Sequence, residues 1–254
     1  MSREGRSKSA RPAWDRTSLA DPHGQPDKAD RVAAMFDAIA PRYERFNTAA
    51  TFGRDARWRR RAVAATNVRS GEVVVDVCCG TGDMLRAFAA AEPKPARLIG
   101  VDFSAGMLAH AGLAGLSVPV HLVRADAQRL PLADRSADIV SCTFGVRNFA
   151  DLQRGLNEMG RIARPGARVA ILEFATPQNT VWRWAYRRYC EVVLPRLGAW
   201  LSGDRSGAYR YLPRSIQTFE TTAGMVRRLH DAGFREVHMT RLNLGGVVLY
   251  HGVR

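Results

Sequence analysis

The sequence predicts an α/β fold: a seven-stranded, mostly parallel sheet with helices on both faces. Two features carry that prediction. Short β-branched apolar runs alternate with longer stretches of helical periodicity, and a glycine-rich turn joins the first run to its helix. The first run, Val73-Val74-Val75, shows no polar alternation, which marks a strand buried on both faces. It leads into Gly80-Thr81-Gly82, followed by Met84, Leu85 and Phe88 at helical spacing. Glycine lets the backbone turn sharply and a ligand approach the main chain, and the amides of the next helix would point at that ligand. This is the strand, loop and helix of a nucleotide-type site.

The remaining elements follow in order. Strand two, Leu98–Val101, ends in Asp102, where a carboxylate can accept both ribose hydroxyls. Strand three, His121–Val123, closes with Asp126-Ala127, where a carboxylate can accept from an adenine amino group and a backbone amide can donate to a ring nitrogen. Strand four spans Ala137–Thr143 and strand five Arg168–Phe174. Between them Leu152, Leu156, Met159 and Ile162 form a helical face ended by Pro165-Gly166. Asp231-Ala232-Gly233 turns into strand six near Glu236–Leu242, and Val247–Tyr250 is its antiparallel hairpin partner. A dinucleotide fingerprint is absent because Leu85 stands where a third small residue is needed, and no Walker Lys-Ser/Thr pair follows a glycine loop. Three strand ends bearing Gly-Thr-Gly, Asp and Asp-Ala resemble the cofactor site of the Rossmann-like class I S-adenosylmethionine methyltransferases. The resemblance implies S-adenosylmethionine as cofactor, held by Gly80, Thr81, Gly82, Asp83, Asp102, Ser104, Asp126, Ala127 and Thr143. No metal site is predicted.

The 254 residues are 46% hydrophobic, enough for one sizeable core, and the net charge of +14 is carried almost wholly by arginine, since only Lys8, Lys28 and Lys94 are lysines. Cys78, Cys79, Cys142 and Cys190 show no C-x-x-C and no ligand-like histidine spacing, so they read as reduced thiols of a cytosolic protein. No apolar run spans a bilayer, and residues 1–28 lack a signal-peptide core. That segment, rich in Ser, Arg, Pro and Asp, reads as a disordered tail; an Arg-rich transit peptide competes, and Glu4, Asp15, Asp21 and Asp27 count against it.

Residues 29–254 are expected to form one domain. A helix from Lys28, with Val32, Met35, Phe36 and Ile39 on one face, stops at Pro41. It opens an entry segment, 29–70, that is either packing or a lid over the cofactor. Residues 175–220 are too long for an ordinary connection and form a cap insert between strands five and six. Trp182, Trp184, Tyr186, Tyr189, Trp200, Tyr209 and Tyr211 there mingle with arginines, as they do at nucleic-acid or anionic membrane surfaces; simple packing of the cap explains them equally.

Beyond the cofactor motif, the chain resembles the quinone-biosynthesis C-methyltransferases, which act on demethylmenaquinol and the corresponding ubiquinone precursor. The matching pieces are Met35-Phe36-Asp37-x-Ile39-Ala40-Pro41-x-Tyr43, Asp76-Val77-Cys78-Cys79-Gly80-Thr81-Gly82-Asp83, Phe144-Gly145-Val146-Arg147-Asn148, Leu172-Glu173-Phe174 and Tyr209-x-Tyr211-Leu212-Pro213. Small departures are Glu44 for Asp, Val146 for Leu and Ala167 for a second Gly. The resemblance implies a prenylated quinol lipid as substrate, peripheral contact with the inner face of the membrane, and no nucleic-acid partner; it leaves homodimerisation open. Methylating a ring carbon needs a neighbouring hydroxyl to push electron density into the ring. Arg147 is expected to stabilise that phenolate-like oxygen, Asn148 to orient it, and Tyr43 to close over it and relay the proton. The competing account of Arg147 is a salt bridge tying its loop to the next helix. His251 and a bound water are the open candidates for general base. An RNA methyltransferase would share the cofactor site and suit the charge, but Phe-Gly-Val-Arg-Asn replaces the Asn/Asp-Pro-Pro-aromatic motif that reads an amine. A non-catalytic scaffold is disfavoured by the intact strand ends.

Overall fold

The computed structural model describes residues 14, 15, 17–194, 196–198 and 207–254. One sheet contains β1 (Val73–Val77), β2 (Arg97–Asp102), β3 (Val120–Arg124), β4 (Ala137–Thr143), β5 (Ala163–Phe174), β6 (Arg235–Leu242) and β7 (Val247–Val253), in the spatial order β3-β2-β1-β4-β5-β7-β6. The first five strands are parallel, and β7 runs antiparallel between β5 and β6, closing the expected hairpin. The order reverses between β1 and β4, and at such a switch point the loops leaving the carboxyl ends part to form a crevice.

Side chains that alternate along a strand point to opposite faces. Val75, Val77, Val140 and Ile171 face α6 (Leu152–Ile162) and α9 (Thr222–Asp231), burying Leu156, Met159, Met225 and Leu229. Val74, Leu98, Ile139 and Leu172 face α3 (Asp55–Thr66) and α4 (Asp83–Ala89), burying Trp58, Val63, Leu85 and Phe88. Both faces are thus covered, which is why β1 is buried along its whole length and opens on three successive valines. The helical face read before Pro165-Gly166 ends earlier, at Ile162, because Ala163 already pairs with Ala137 and begins β5.

The other helices gather at the carboxyl ends of the strands. They are α1 (Lys28–Ile39), α2 (Tyr43–Thr51), α5 (Ala105–Ala109), α7 (Thr180–Arg188), continued by a π turn over Tyr189–Val193, and α8 (Ala208–Gln217). Pro41 ends α1 as expected, opening a short 3-10 turn before α2.

One expectation fails. Residues 14, 15 and 17–27, read as part of a disordered tail, pack on the domain. Trp14 is 0% exposed and stacks on Tyr211 with ring centroids 4.3 Å apart. Asp15 and Ser18 close a turn through reciprocal hydrogen bonds. Burying one large indole offsets the ordering of a short polar segment, a gain that composition averaged over the stretch does not reveal. The rest of the expected tail, residues 1–13 and 16, lies outside the described residues, as do Trp200 and Arg205 of the cap.

Gly160 of α6 meets the carbonyl that closes α9: a Cβ there would sit 2.2 Å from Ala232 O. Alanine is the better helix former by about 1 kcal/mol. The atom it meets is backbone and cannot rotate away, so overpacking of about 1–3 kcal/mol decides the sign. Gly160→Ala is expected to lower the urea midpoint of unfolding with little change in slope; a midpoint at or above the parent's would disprove the contact.

Candidate active site

The ends of four strands enclose a cavity of about 90 Å³. β1 contributes Val77, Cys78 and Gly80; β2 contributes Val101, Asp102, Phe103 and Ser104; β3 contributes Ala125, Asp126 and Ala127; β4 contributes Thr143 and Phe144. The turn out of β1 holds Cys78 at φ 58° and Gly80 at φ 55°, the left-handed region that glycine adopts freely and cysteine rarely does. Asp102 fixes this turn. Its carboxylate accepts from Gly80 N (2.8 Å) and Ser104 N (2.9 Å), and burial raises its pKa. The other side of the cavity is walled by α1 through Ala29, Val32, Ala33 and Phe36.

The structure distributes the expected cofactor residues unevenly. Gly80, Asp102, Ser104, Asp126, Ala127 and Thr143 all line the cavity, whereas Thr81, Gly82 and Asp83 do not. Gly82 is the N-cap of α4 and Asp83 is held by Arg59 (2.9 Å) and Arg86, so both set the loop's shape and leave the lining to Gly80. The Ser104 hydroxyl is also committed: it caps α5 at Met107 N (3.0 Å) and donates to Asp37 Oδ1 (2.5 Å). What the cavity does present fits S-adenosylmethionine. Two carboxylates stand at successive strand ends, apolar walls flank them, and Thr143 Oγ1 is buried without a partner. A buried hydroxyl left unpaired is costly unless a ligand satisfies it.

A second, larger cavity of about 290 Å³ adjoins the first, and Phe36, Tyr43 and Phe144 line both. Its walls are mainly apolar and aromatic and come from the entry and cap helices, with Phe46, Trp58, Trp182, Tyr186, Tyr189, Tyr209 and Tyr211 among them. Phe144 stacks on Phe174 at 4.2 Å where this cavity meets the sheet.

Tyr43 therefore stands at the junction, as its expected role requires, and burial raises its phenol pKa, so it is present as a hydroxyl. Arg147 lines the larger cavity but is no free cation. Its Nη1 donates to Glu173 Oε1 and to Phe144 O, both at 2.6 Å, and the two side chains are 4% and 1% exposed. The salt bridge weighed against a catalytic role thus exists, with strand β5 in place of the next helix. Arg147 Nε remains buried and without a partner. Asn148 lines the smaller cavity, and its Oδ1 accepts from Tyr211 OH at 2.9 Å. His251 lines neither cavity and lies 5.5 Å from His238 on the sheet's far strands, which removes it as a base at this site.

Sequence reading quoted Glu173 and Tyr211 within motifs without assigning them to the site. A carboxylate ending a buried apolar strand was the available signal for Glu173. Asp76 is a further case. It is 1% exposed on β1 and accepts from Ser141 Oγ at 2.6 Å. Burial pushes its carboxyl up to about 7, against the opposing pull of Ser141 and Arg59. The folded state then holds a proton that the unfolded carboxylate has released, so this group's contribution to stability falls as pH rises from about 4 through 7. Asp76→Asn keeps a partner for Ser141 and removes the titration. The variant's melting temperature is expected to fall less than the parent's between about pH 5 and pH 8, with the variant the more stable by about 2 kcal/mol at the upper end. Parallel profiles would show Asp76 ionised in the native state.

Comparison with known proteins agrees with this geometry. Residues 25–254 match the ubiE/COQ5 methyltransferase family. A demethylmenaquinone methyltransferase of Mycobacterium sp. (strain JLS) is 40% identical over 220 residues, covering 87% of this chain and 92% of the relative. A ubiquinone/menaquinone biosynthesis C-methyltransferase of Syntrophotalea carbinolica is 38% identical over 222 residues, again covering 87% and 92%. Among solved structures, a SAM-dependent methyltransferase from Thermotoga maritima matches with a TM-score of 0.58 at 19% identity, over 87% of this chain and 98% of that one. The [4+2]-cyclase SpnF matches with a TM-score of 0.57 at 16% identity, over 89% and 96%, a reminder that the fold alone does not choose the reaction. With a cofactor cavity built from successive strand ends and a family match running from residue 25 to the last residue, this chain belongs to the ubiE/COQ5 family of S-adenosylmethionine-dependent methyltransferases.

Proposed function

We propose that the chain methylates a ring carbon of demethylmenaquinol, the reduced naphthoquinol with a prenyl tail. The observation that carries this reading is the adjoining pair of cavities: a cofactor cavity that shares Tyr43 and Phe144 with a larger, mainly apolar chamber. The names of the relatives at about 40% identity favour the naphthoquinol over the benzoquinol.

S-adenosylmethionine, when bound, supplies an electrophilic methyl group on its sulfonium. Asp102 would take the ribose hydroxyls, Asp126 the adenine amino group, and Thr143 Oγ1 a polar atom of the cofactor. The chain's remaining task is alignment and exclusion of water. Phe144, Phe174 and Trp58 hold the flat ring, and the tail lies between α2, α7 and α8. The buried Arg147 Nε–H is the donor offered to a quinol oxygen, while Glu173 keeps the guanidinium fixed and the wall neutral overall. Tyr43 shields the gap between the cavities, and the ring proton leaves to water or to substrate oxygen.

Large apolar side chains surround the chamber's opening. Phe52 is 77% exposed and Leu244 62%, and both line the cavity; Val181 and Trp184 of α7 are 70% and 67% exposed. Exposed Arg54, which lines the cavity, and Arg183, between Val181 and Trp184 on α7, stand among them. No helix among the described residues is long and apolar enough to cross a membrane. This face suits peripheral contact with an anionic bilayer, from which a prenylated substrate would enter.

Three measurements test these statements. Radiolabelled S-adenosylmethionine offered with demethylmenaquinol, a reduced ubiquinone precursor and bulk RNA is expected to label the naphthoquinol; label confined to RNA would overturn the reading. Arg147→Lys keeps the charge and loses Nε–H, and is expected to lower kcat by roughly 10²-fold with cofactor affinity unchanged; unaltered kcat would remove Arg147 from the chemistry. Val181→Glu with Trp184→Glu should cut co-sedimentation with anionic vesicles several-fold, and full retention would place the membrane face elsewhere.

A further inference from the structure

Lys28 opens α1, yet it is 2% exposed. Its Nζ donates to Phe149 O (2.5 Å) and Arg147 O (3.1 Å), two carbonyls of the turn after β4. The third partner is His23 Nδ1 at 3.1 Å, while His23 Nε2 lies 3.1 Å from Ser215 O on α8. A carbonyl only accepts, so Nε2 carries the ring proton and Nδ1 receives from the ammonium. All three N–H groups of Lys28 are then satisfied, and three separate elements meet at one nitrogen.

The turn it grips is the one on which both cavities depend. Arg147 lines the larger chamber, and Asn148, Phe149 and Ala150 line the cofactor cavity. On α1 itself, Ala29, Val32, Ala33 and Phe36 form the opposite wall of that cavity. Nine residues along the same helix, Asp37 accepts from Ser104 Oγ, the N-cap of α5, and from Gly106 N (2.8 Å) in that helix's first turn. Helix α1 is thereby fastened at both ends across the cofactor cavity, to the β4 turn at its start and to the start of α5 near its finish.

We propose that Lys28 is a positioning residue for catalysis: it holds α1 over the cofactor and at the same time sets the backbone that carries Arg147 and Asn148. A cation is the economical choice here, because one ammonium serves two carbonyls and an imidazole that no backbone pattern reaches. The apolar replacement leaves two buried carbonyls unpaired, so α1 and the turn separate until water reaches them.

The inference rests on the methyltransferase reading of the cavity, and its test uses S-adenosylhomocysteine binding by calorimetry, which needs no quinol. Lys28→Met is expected to weaken that binding roughly tenfold and to lower kcat at saturating cofactor, both measured below the onset of melting. His23→Phe keeps the ring's shape and removes one acceptor; roughly threefold weaker binding is expected. A Lys28→Met protein that melts earlier yet binds and turns over as the parent does would show a merely structural residue and overturn the proposal. Should Lys28→Met fail to fold, His23→Phe decides, and parental binding there overturns it equally. Parental enzyme that binds S-adenosylhomocysteine but methylates no quinol would refute the substrate reading alone.

Discussion

The buried pair between Arg147 and Glu173 is the joint from which the site is assembled. It ties the turn after β4 to the end of β5, in a place where both side chains are almost fully removed from water. Loss of either partner leaves an uncompensated buried charge, a cost of about 3–5 kcal/mol. The same geometry settles the chemistry of the dividing wall. Arg147 shares Phe144 O with Asn148, so the guanidinium fixes the left-handed turn at Phe144, whose φ is 57°. That ring in turn stacks on Phe174, and Arg147 lies 5.4 Å from the Phe174 centroid. Ion pair, strained turn and stacked rings form one contiguous unit between cofactor and substrate spaces.

The two spaces are built by different parts of the chain for a physical reason. Parallel strands present their carboxyl ends in register, and a ladder of main-chain hydrogen bonds leaves those ends little freedom, so the cofactor residues stand at fixed spacing. The larger cavity is walled by α2, α7 and α8, whose aromatic side chains pack on one another more than on the sheet. Such a wall can change its lining without disturbing the core. The fold class dictates the sheet and its strand ends, and it does not dictate the helices that wall the larger cavity.

Long-range contacts bring the two parts into one object. Trp14 against Tyr211, Tyr211 against Asn148, and His23 against Ser215 link the start of the described chain to α8 and to the turn after β4. The chain from Trp14 through α1 is held by these polar and aromatic points and by the apolar cluster of Met35, Ile39 and Met107.

The sequence by itself determined the parallel sheet, its strand ends and the cofactor's place. Those features follow from local causes: β-branched runs make buried strands, glycine permits the turn at Gly80, and a carboxylate at each strand tip needs no distant partner to be noticed. It also singled out Arg147, Asn148 and Tyr43, through their motifs, and all three line one or both of the cavities. Only the tertiary structure decided what those side chains touch. Arg147 finds Glu173 twenty-six residues away, Asn148 finds Tyr211 sixty-three away, and Lys28 finds Phe149 one hundred and twenty-one away. The same holds for Asp83, which pairs with Arg59 and stays out of the cofactor cavity, and for Trp14, drawn out of an apparently structureless tail. Pairings of that kind depend on which surfaces the packed helices and sheet bring within hydrogen-bond distance, and no periodicity or turn signal along the chain encodes that distance.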